Sequence, residues 1–243
     1  MNFQKKSNLA YEKLAKNKKK LPTQKAGRYK KHKGLENRIF EDIRRKLDLK
    51  KNDDLLDIGC GCGPLTDLVI NYCQKKNIHI TLCDIPPIIN FLKKKYVNKK
   101  NISFISKEFQ SAKILKNFKK ILCYSVIQCV DKPNLFTKKI ISLLSQDGKI
   151  LIGDIPNINQ KFRFLQSSFG KKYESMNNPK NKNDFKSFSE FKKETKQNTK
   201  INDDYIMNVL KYCRKKNKSS KIIKQKKILP FSFTREDILI EEF

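Results

Sequence analysis

Three glycines fall at every second position of the stretch Asp54-Leu55-Leu56-Asp57-Ile58-Gly59-Cys60-Gly61-Cys62-Gly63-Pro64-Leu65-Thr66. The apolar run Leu55 to Ile58 before them reads as a buried strand. After them, Leu65, Leu68, Val69, Ile70 and Tyr72 recur at roughly helical spacing. Strand, glycine turn and helix together make a nucleotide-binding geometry. Glycine lets the backbone turn tightly and approach a ligand, and a helix N-terminus offers unpaired N–H groups. The spacing is D-x-G-x-G-x-G from Asp57. It departs from the dinucleotide fingerprint G-x-G-x-x-G, whose third glycine would fall on Pro64. An ordinary tight turn in an unrelated α/β protein is the plain alternative.

The residues downstream continue an α/β alternation. Ile78 to Asp84 alternates and ends in an acid, which predicts a second strand. Asp84 lies 25 residues after Gly59 (84 − 59), close to the ~20-residue offset at which a carboxylate meets ribose hydroxyls in dinucleotide folds. Pro86 and Pro87 start a helix running from Ile88 to Tyr96. Ile102 to Ile105 is a third strand, with Glu108 and Phe109 beyond its C-terminal end. Lys120 to Val130 covers a fourth strand and its loop, whose polar members are Tyr124, Ser125 and Gln128. Ile140 to Leu144 continues a helix, Gln146-Asp147-Gly148 forms a turn, and Lys149 to Asp154 is a fifth strand. Asp154 therefore sits at a strand C-terminus, where ligand crevices form in open α/β sheets. Before the first strand, Leu35, Ile39, Phe40, Ile43 and Leu47 predict a helix. Beyond Asp154, apolar clusters at 162–169 and 205–212 predict two helices. The polar stretch between them, roughly 171–200, is expected to be mobile at its centre. Ile222 to Leu229 and Glu236 to Phe243 are the last strands.

Asp57 with its glycines, Asp84 after strand two and Glu108-Phe109 after strand three together resemble the class I S-adenosylmethionine (SAM)-dependent methyltransferases. The resemblance covers residues 53–155 by motif and 222–243 by pattern alone. It implies an α/β fold with a Rossmann-like, seven-stranded, mostly parallel sheet, an antiparallel last strand and a helical insertion after strand five. Residues 35–243 would form the methyltransferase domain, with 158–221 as a helical substrate cap. Residues 1–34 form a basic extension whose run Gly27 to Lys33 reads first as a solvated tail; the alternative is a flap over the active site that places Tyr29 or His32 near the acceptor. By resemblance, Asp57, Gly59, Gly61 and Gly63 hold the methionine end of SAM. Asp84 takes the ribose hydroxyls, Glu108 and Phe109 the adenine, and Ser125 the floor of the site. Glu108 replaces the Asp more usual in the family. Candidate bases or acceptor contacts are Asp154, Tyr124 and His32, while His79 falls inside a strand and is expected to pack. Asp84-Ile85-Pro86-Pro87-Ile88 is similar to the D-P-P-Y motif of amino-methylating nucleic-acid methyltransferases, but it follows strand two rather than strand four.

The formal charge is +31. Such a field favours RNA, anionic lipid or an acidic acceptor. Of the 55 basic residues, 48 are Lys and only 7 Arg. This is the bias of a low-GC genome rather than of a surface that reads nucleic acid through bidentate arginines. Cys60 and Cys62 make a C-x-C pair with no second pair at zinc spacing, so no metal is expected. Residues 1–20 lack a secretory apolar region, and no apolar run approaches the ~18 residues of a membrane span. A cytoplasmic protein with no membrane partner is expected, its oligomeric state open. The leading reading is O- or N-methylation of a small-molecule or sugar acceptor. An RNA methyltransferase, favoured by charge alone, and a non-catalytic SAM-binding protein are the alternatives.

Overall fold

The computed structural model describes residues 3–16, 32, 34–177, 184–195 and 197–242. Tyr29 and residues 178–183 of the polar stretch lie outside the described residues.

Seven strands form one sheet in the order β3-β2-β1-β4-β5-β7-β6. They are β1 (Asp54–Ile58), β2 (His79–Asp84), β3 (Ile102–Ser106), β4 (Phe118–Tyr124), β5 (Leu144–Ile155), β6 (Ser219–Lys224) and β7 (Glu236–Glu241). Neighbours from β3 to β5 pair in parallel, and β7 inserts antiparallel between β5 and β6. The expected mostly parallel sheet with its antiparallel last strand is therefore present. Side chains alternate across it, as a pleat requires. Leu55, Leu82, Leu122 and Leu151 face one core with α2 (Glu36–Leu47), α3 (Pro64–Lys75) and α4 (Pro86–Lys95). Leu56, Cys83, Ile121, Ile150 and Ile238 face the other, with α5 (Pro133–Ser142) and the last helix, α9 (Asp203–Lys215). Covering both faces is what a parallel sheet demands.

Between β5 and α9 the chain folds α6 (Ile158–Gln166), α7 (Ser168–Asn177) and α8 (Phe188–Glu194). Ile158, Leu165, Phe185 and Phe191 give these helices a small core of their own. Asn157 caps α6 by accepting from the N–H groups of Asn159 and Gln160, and its amide donates to Asp203 and Glu236. The cap is thereby tied to α9 and to β7. At the other end of the chain, α1 (Phe3–Lys16) packs beside the 3₁₀ turn Ile127–Cys129 after β4 and beside α4.

Two sequence expectations need correction. The strand expected at 222–229 is Ser219–Lys224. Pairing with β7 sets its register, and the Lys218–Glu242 ion pair holds its start at 2.6 Å. Gln225 leaves the strand to meet Asp237, and Leu229 is buried from a turn instead. Gln146 to Gly148, expected as a free turn, lies within a long β5 that starts opposite Phe118; Asp147 takes a left-handed conformation there.

Candidate active site

The glycine turn runs from β1 into α3. Gly59 and Gly61 have φ of +66° and +63°, the region where a side chain is strained. A Cβ on Gly59 would stand 2.5 Å from Cγ2 of Val126, so the turn lies directly against the loop after β4. Gly63 differs. It is extended at the start of α3, so its conformation is open to other residues. Pro64 follows at the first helical position, where its missing N–H costs nothing. The Thr66 hydroxyl donates to the Cys60 carbonyl at 2.5 Å and closes the turn on its own helix.

Asp84 ends β2 beside this turn. One of its oxygens accepts from the Gly61 N–H at 2.8 Å and the other from the Ile85 N–H at 2.7 Å. Burial raises its pKa, against the pull of those two N–H groups. Asp57 lies buried in β1, and burial together with the Asp84 charge pushes it up to about 7. Buried Asp57 and partly buried Asp84 thus place two carboxyl groups under the turn, an arrangement that favours a cationic ligand.

Gly59, Cys83, Asp84, Ile85, Glu108, Phe109 and Val126 line a cleft of about 70 Å³ together with Gln4 and Asn8 of α1. The Glu108 carboxylate accepts from the side-chain amides of both Gln4, at 3.1 Å, and Asn8. The Gln4 backbone N–H donates to Asp131 at 3.1 Å. Phe109 is buried edge-on against Phe136, with the Lys139 ammonium over its ring.

A second group of residues gathers at the C-terminal ends of β4 and β5. The strand β5 bulges against β7 between Ile152 and Ile155, and Asp154 sits in the bulge at φ +58°. Ser125 follows β4 at φ +60°. Strained residues and bulges of this kind cluster where side chains are aimed at a site. The Ser125 hydroxyl donates to the Asp154 carboxylate. Buried Asp237 accepts the Asp154 backbone N–H at 2.8 Å and is itself held by Lys46 at 2.6 Å and Gln225 at 3.0 Å. Gln225 also donates to the Tyr124 hydroxyl at 3.4 Å. The Tyr124 ring lies over Gly153, where a Cβ would meet it at 2.4 Å. Arg235 Nη1 donates to the Asp154 carbonyl at 3.3 Å, and its Nε lies 3.7 Å from the carboxylate. The same guanidinium covers the Phe231 ring, and His32 meets that ring edge-on with centroids 4.9 Å apart.

The fold thus brings the sequence candidates into two groups. Gly59, Asp84, Glu108 and Phe109 line one cleft, with Gly61 bonded to Asp84 and Asp57 buried in β1, while Ser125, Asp154, Tyr124 and His32 are connected through Arg235, Phe231, Gln225 and Asp237. Gly63 starts the helix between them. His79 bonds Ser103 across β2 and β3 at 2.9 Å. Reading the chain alone missed Gln4, Asn8, Val126, Asp237 and Arg235. Arg235 carried a signal, being one of 7 arginines against 48 lysines; the others act through long-range contacts.

Residues 49–227 match a family model described as a methyltransferase domain. The chain belongs to that family. The class I SAM-dependent methyltransferase resemblance of the glycine turn is borne out by this match and by the sheet order. Among curated proteins, malonyl-[acyl-carrier protein] O-methyltransferase of Acetivibrio thermocellus is 27% identical over 103 residues, which is 42% of this chain and 35% of that protein. The match spans about a third of that relative's length. Among solved structures, N-methyltransferase NodS of Bradyrhizobium japonicum WM9, in complex with S-adenosyl-L-homocysteine (SAH), superposes with a TM-score of 0.63 at 10% identity, covering 97% of this chain and 98% of that one. The plantazolicin methyltransferase BamL, in complex with a triazolic desmethylPZN analog and SAH, superposes with a TM-score of 0.59 at 16% identity, covering 99% and 98%. At such identities these structures speak for the shared fold. No helix among the described residues of this methyltransferase is long and apolar enough to cross a membrane.

Proposed function

We propose that this methyltransferase domain takes SAM at the glycine turn and transfers its methyl group to an oxygen or nitrogen of a small-molecule or sugar acceptor. The observation that carries the reading is Asp84. Each of its oxygens is fixed by one backbone N–H, between the glycine turn and Glu108, and keeps capacity to accept from a ribose hydroxyl. Asp57 adds negative charge beneath the turn, which suits a sulfonium and an ammonium. The amides of Gln4 and Asn8 on Glu108 are the same kind of donor as an adenine amino group, and Phe109 and Val130 give that end of the cleft apolar walls. When bound, SAM supplies an electrophilic methyl on a cationic sulfur.

Ser125 and Asp154 are the groups best placed to meet the acceptor. Asp154 accepts from Ser125, and a carboxylate of this kind can orient an acceptor hydroxyl or take the proton it loses. Tyr124 and His32 then shape the acceptor side. NodS is an N-methyltransferase and the Acetivibrio relative an O-methyltransferase, so both acceptor atoms stay within the proposal.

Labelled methyl from SAM, presented with the protein to a cell lysate, is expected in the small-molecule or glycan fraction. Label confined to RNA and abolished by ribonuclease would contradict the small-acceptor reading.

A further inference from the structure

The loop after β3 carries two of the side chains that line the cofactor cleft, Glu108 and Phe109. It closes as a single helical turn, in which the N–H groups of Ser111 and Ala112 both donate to the Glu108 carbonyl at 3.0 Å. The carbonyls of Phe109, Gln110 and Ala112 then converge like those at a helix C-terminus, an end that attracts a cation. Lys139 of α5 supplies it. Its ammonium donates to the Phe109, Gln110 and Ala112 carbonyls at 2.6, 3.0 and 2.6 Å. Three N–H groups are thereby matched to three carbonyls, and every acceptor is neutral backbone. The same ammonium stands 4.9 Å from the Phe109 ring centroid. One turn earlier on α5, Phe136 meets Phe109 edge-on with centroids 5.0 Å apart, and it lines the cleft as well. Residues three apart share a helix face. One face of α5 therefore grips the loop twice, by its backbone at Lys139 and by its ring at Phe136.

We propose that Lys139 is a positioning residue for the methyl donor: it sets the loop after β3 so that Glu108 accepts from the adenine amino group and Phe109 packs on the ring. The inference rests on the methyltransferase reading and names the residue that fixes adenine recognition from outside the contact itself. The Lys139 ammonium holds the loop backbone and the Phe109 ring, so its effect on the cofactor passes through them. Phe109 and Ala112 are buried, where a carbonyl left without its donor is costly. Without the ammonium the turn would shift to find other partners. A hydrogen bond weakens steeply with distance and angle, so the Glu108 contact is lost before the packing of Phe109 is.

The test titrates two ligands into the full chain: SAH, and its analogue with purine in place of adenine, which lacks the amino group. The wild type is expected to bind SAH about ten-fold more tightly than the purine analogue, because the analogue leaves Glu108 without its donor. Lys139→Met is expected to weaken SAH about ten-fold and the purine analogue less than about three-fold, so that the preference narrows. A role confined to folding would weaken both ligands alike. Should Lys139→Met not fold, Lys139→Gln carries the same comparison. Equal losses for the two ligands, an unchanged preference, or no preference in the wild type would overturn the positioning role, while SAH binding left the methyltransferase reading standing. Failure of the wild type to take up SAH would overturn both.

Discussion

Asp57 and Asp84 hold two carboxylates under the glycine turn, and the protonation of Asp57 makes the site sensitive to pH. Its folded pKa, pushed up to about 7 by burial and by Asp84, lies above its unfolded value. The ligand-free protein therefore loses stability as pH rises from about 4 to about 7. A cationic ligand reverses the preference by favouring the ionised form. SAM affinity is accordingly expected to rise several-fold between about pH 6 and about pH 8, and Asp57→Asn to flatten the dependence. Calorimetry at the two pH values checks this, and a flat wild-type profile would contradict it. Gly59 is constrained twice, by φ +66° and by Val126. Gly59→Ala should destabilise the fold by about 1–3 kcal/mol. Adding Val126→Ala should recover the steric part only, as read by chemical denaturation.

Elements differ in how far their neighbours decide them. The run from β1 through the glycine turn to β2 was legible in the sequence, because its apolar alternation and glycine spacing are local. Asp84 could be named for the same reason. The bounds of β6 were not, because pairing with β7 sets its start and the departure of Gln225 toward Asp237 ends it before Ile228 and Leu229. The contact of α1 with Glu108 spans about a hundred residues of chain and leaves no local mark. Nor does the bulge that turns Asp154, since the acid that pins it, Asp237, lies 83 residues away. The position of α1 has a kinetic consequence. The cleft beside it is about 70 Å³, against the 300–1,000 Å³ usual for ligand sites, so SAM is expected to displace α1 as it enters. The double variant Gln4→Ala, Asn8→Ala is expected to bind SAH with a several-fold faster association rate in stopped flow. An unchanged or slower rate would contradict α1 as a cover.

Taken whole, the molecule carries a charge of +31, yet the cleft beside the glycine turn is lined by the acids Asp84 and Glu108. The global field steers anions inward, while the local carboxylates of Asp57 and Asp84 decide what settles under the turn. The acids under the turn fit a cationic methyl donor. The sheet makes the meeting place: β1 and β2 present the glycine turn and Asp84, β4 and β5 present Ser125 and Asp154, and antiparallel β7 supplies Asp237 with Arg235 just before it. Everything in this arrangement depends on SAM binding at Asp84. The most direct measurement is calorimetric titration of SAM into wild type and Asp84→Ala. One-to-one binding in the wild type, weakened by about 1–3 kcal/mol in the variant, is the predicted result. Unchanged affinity in Asp84→Ala, or no binding to the wild type, would contradict it.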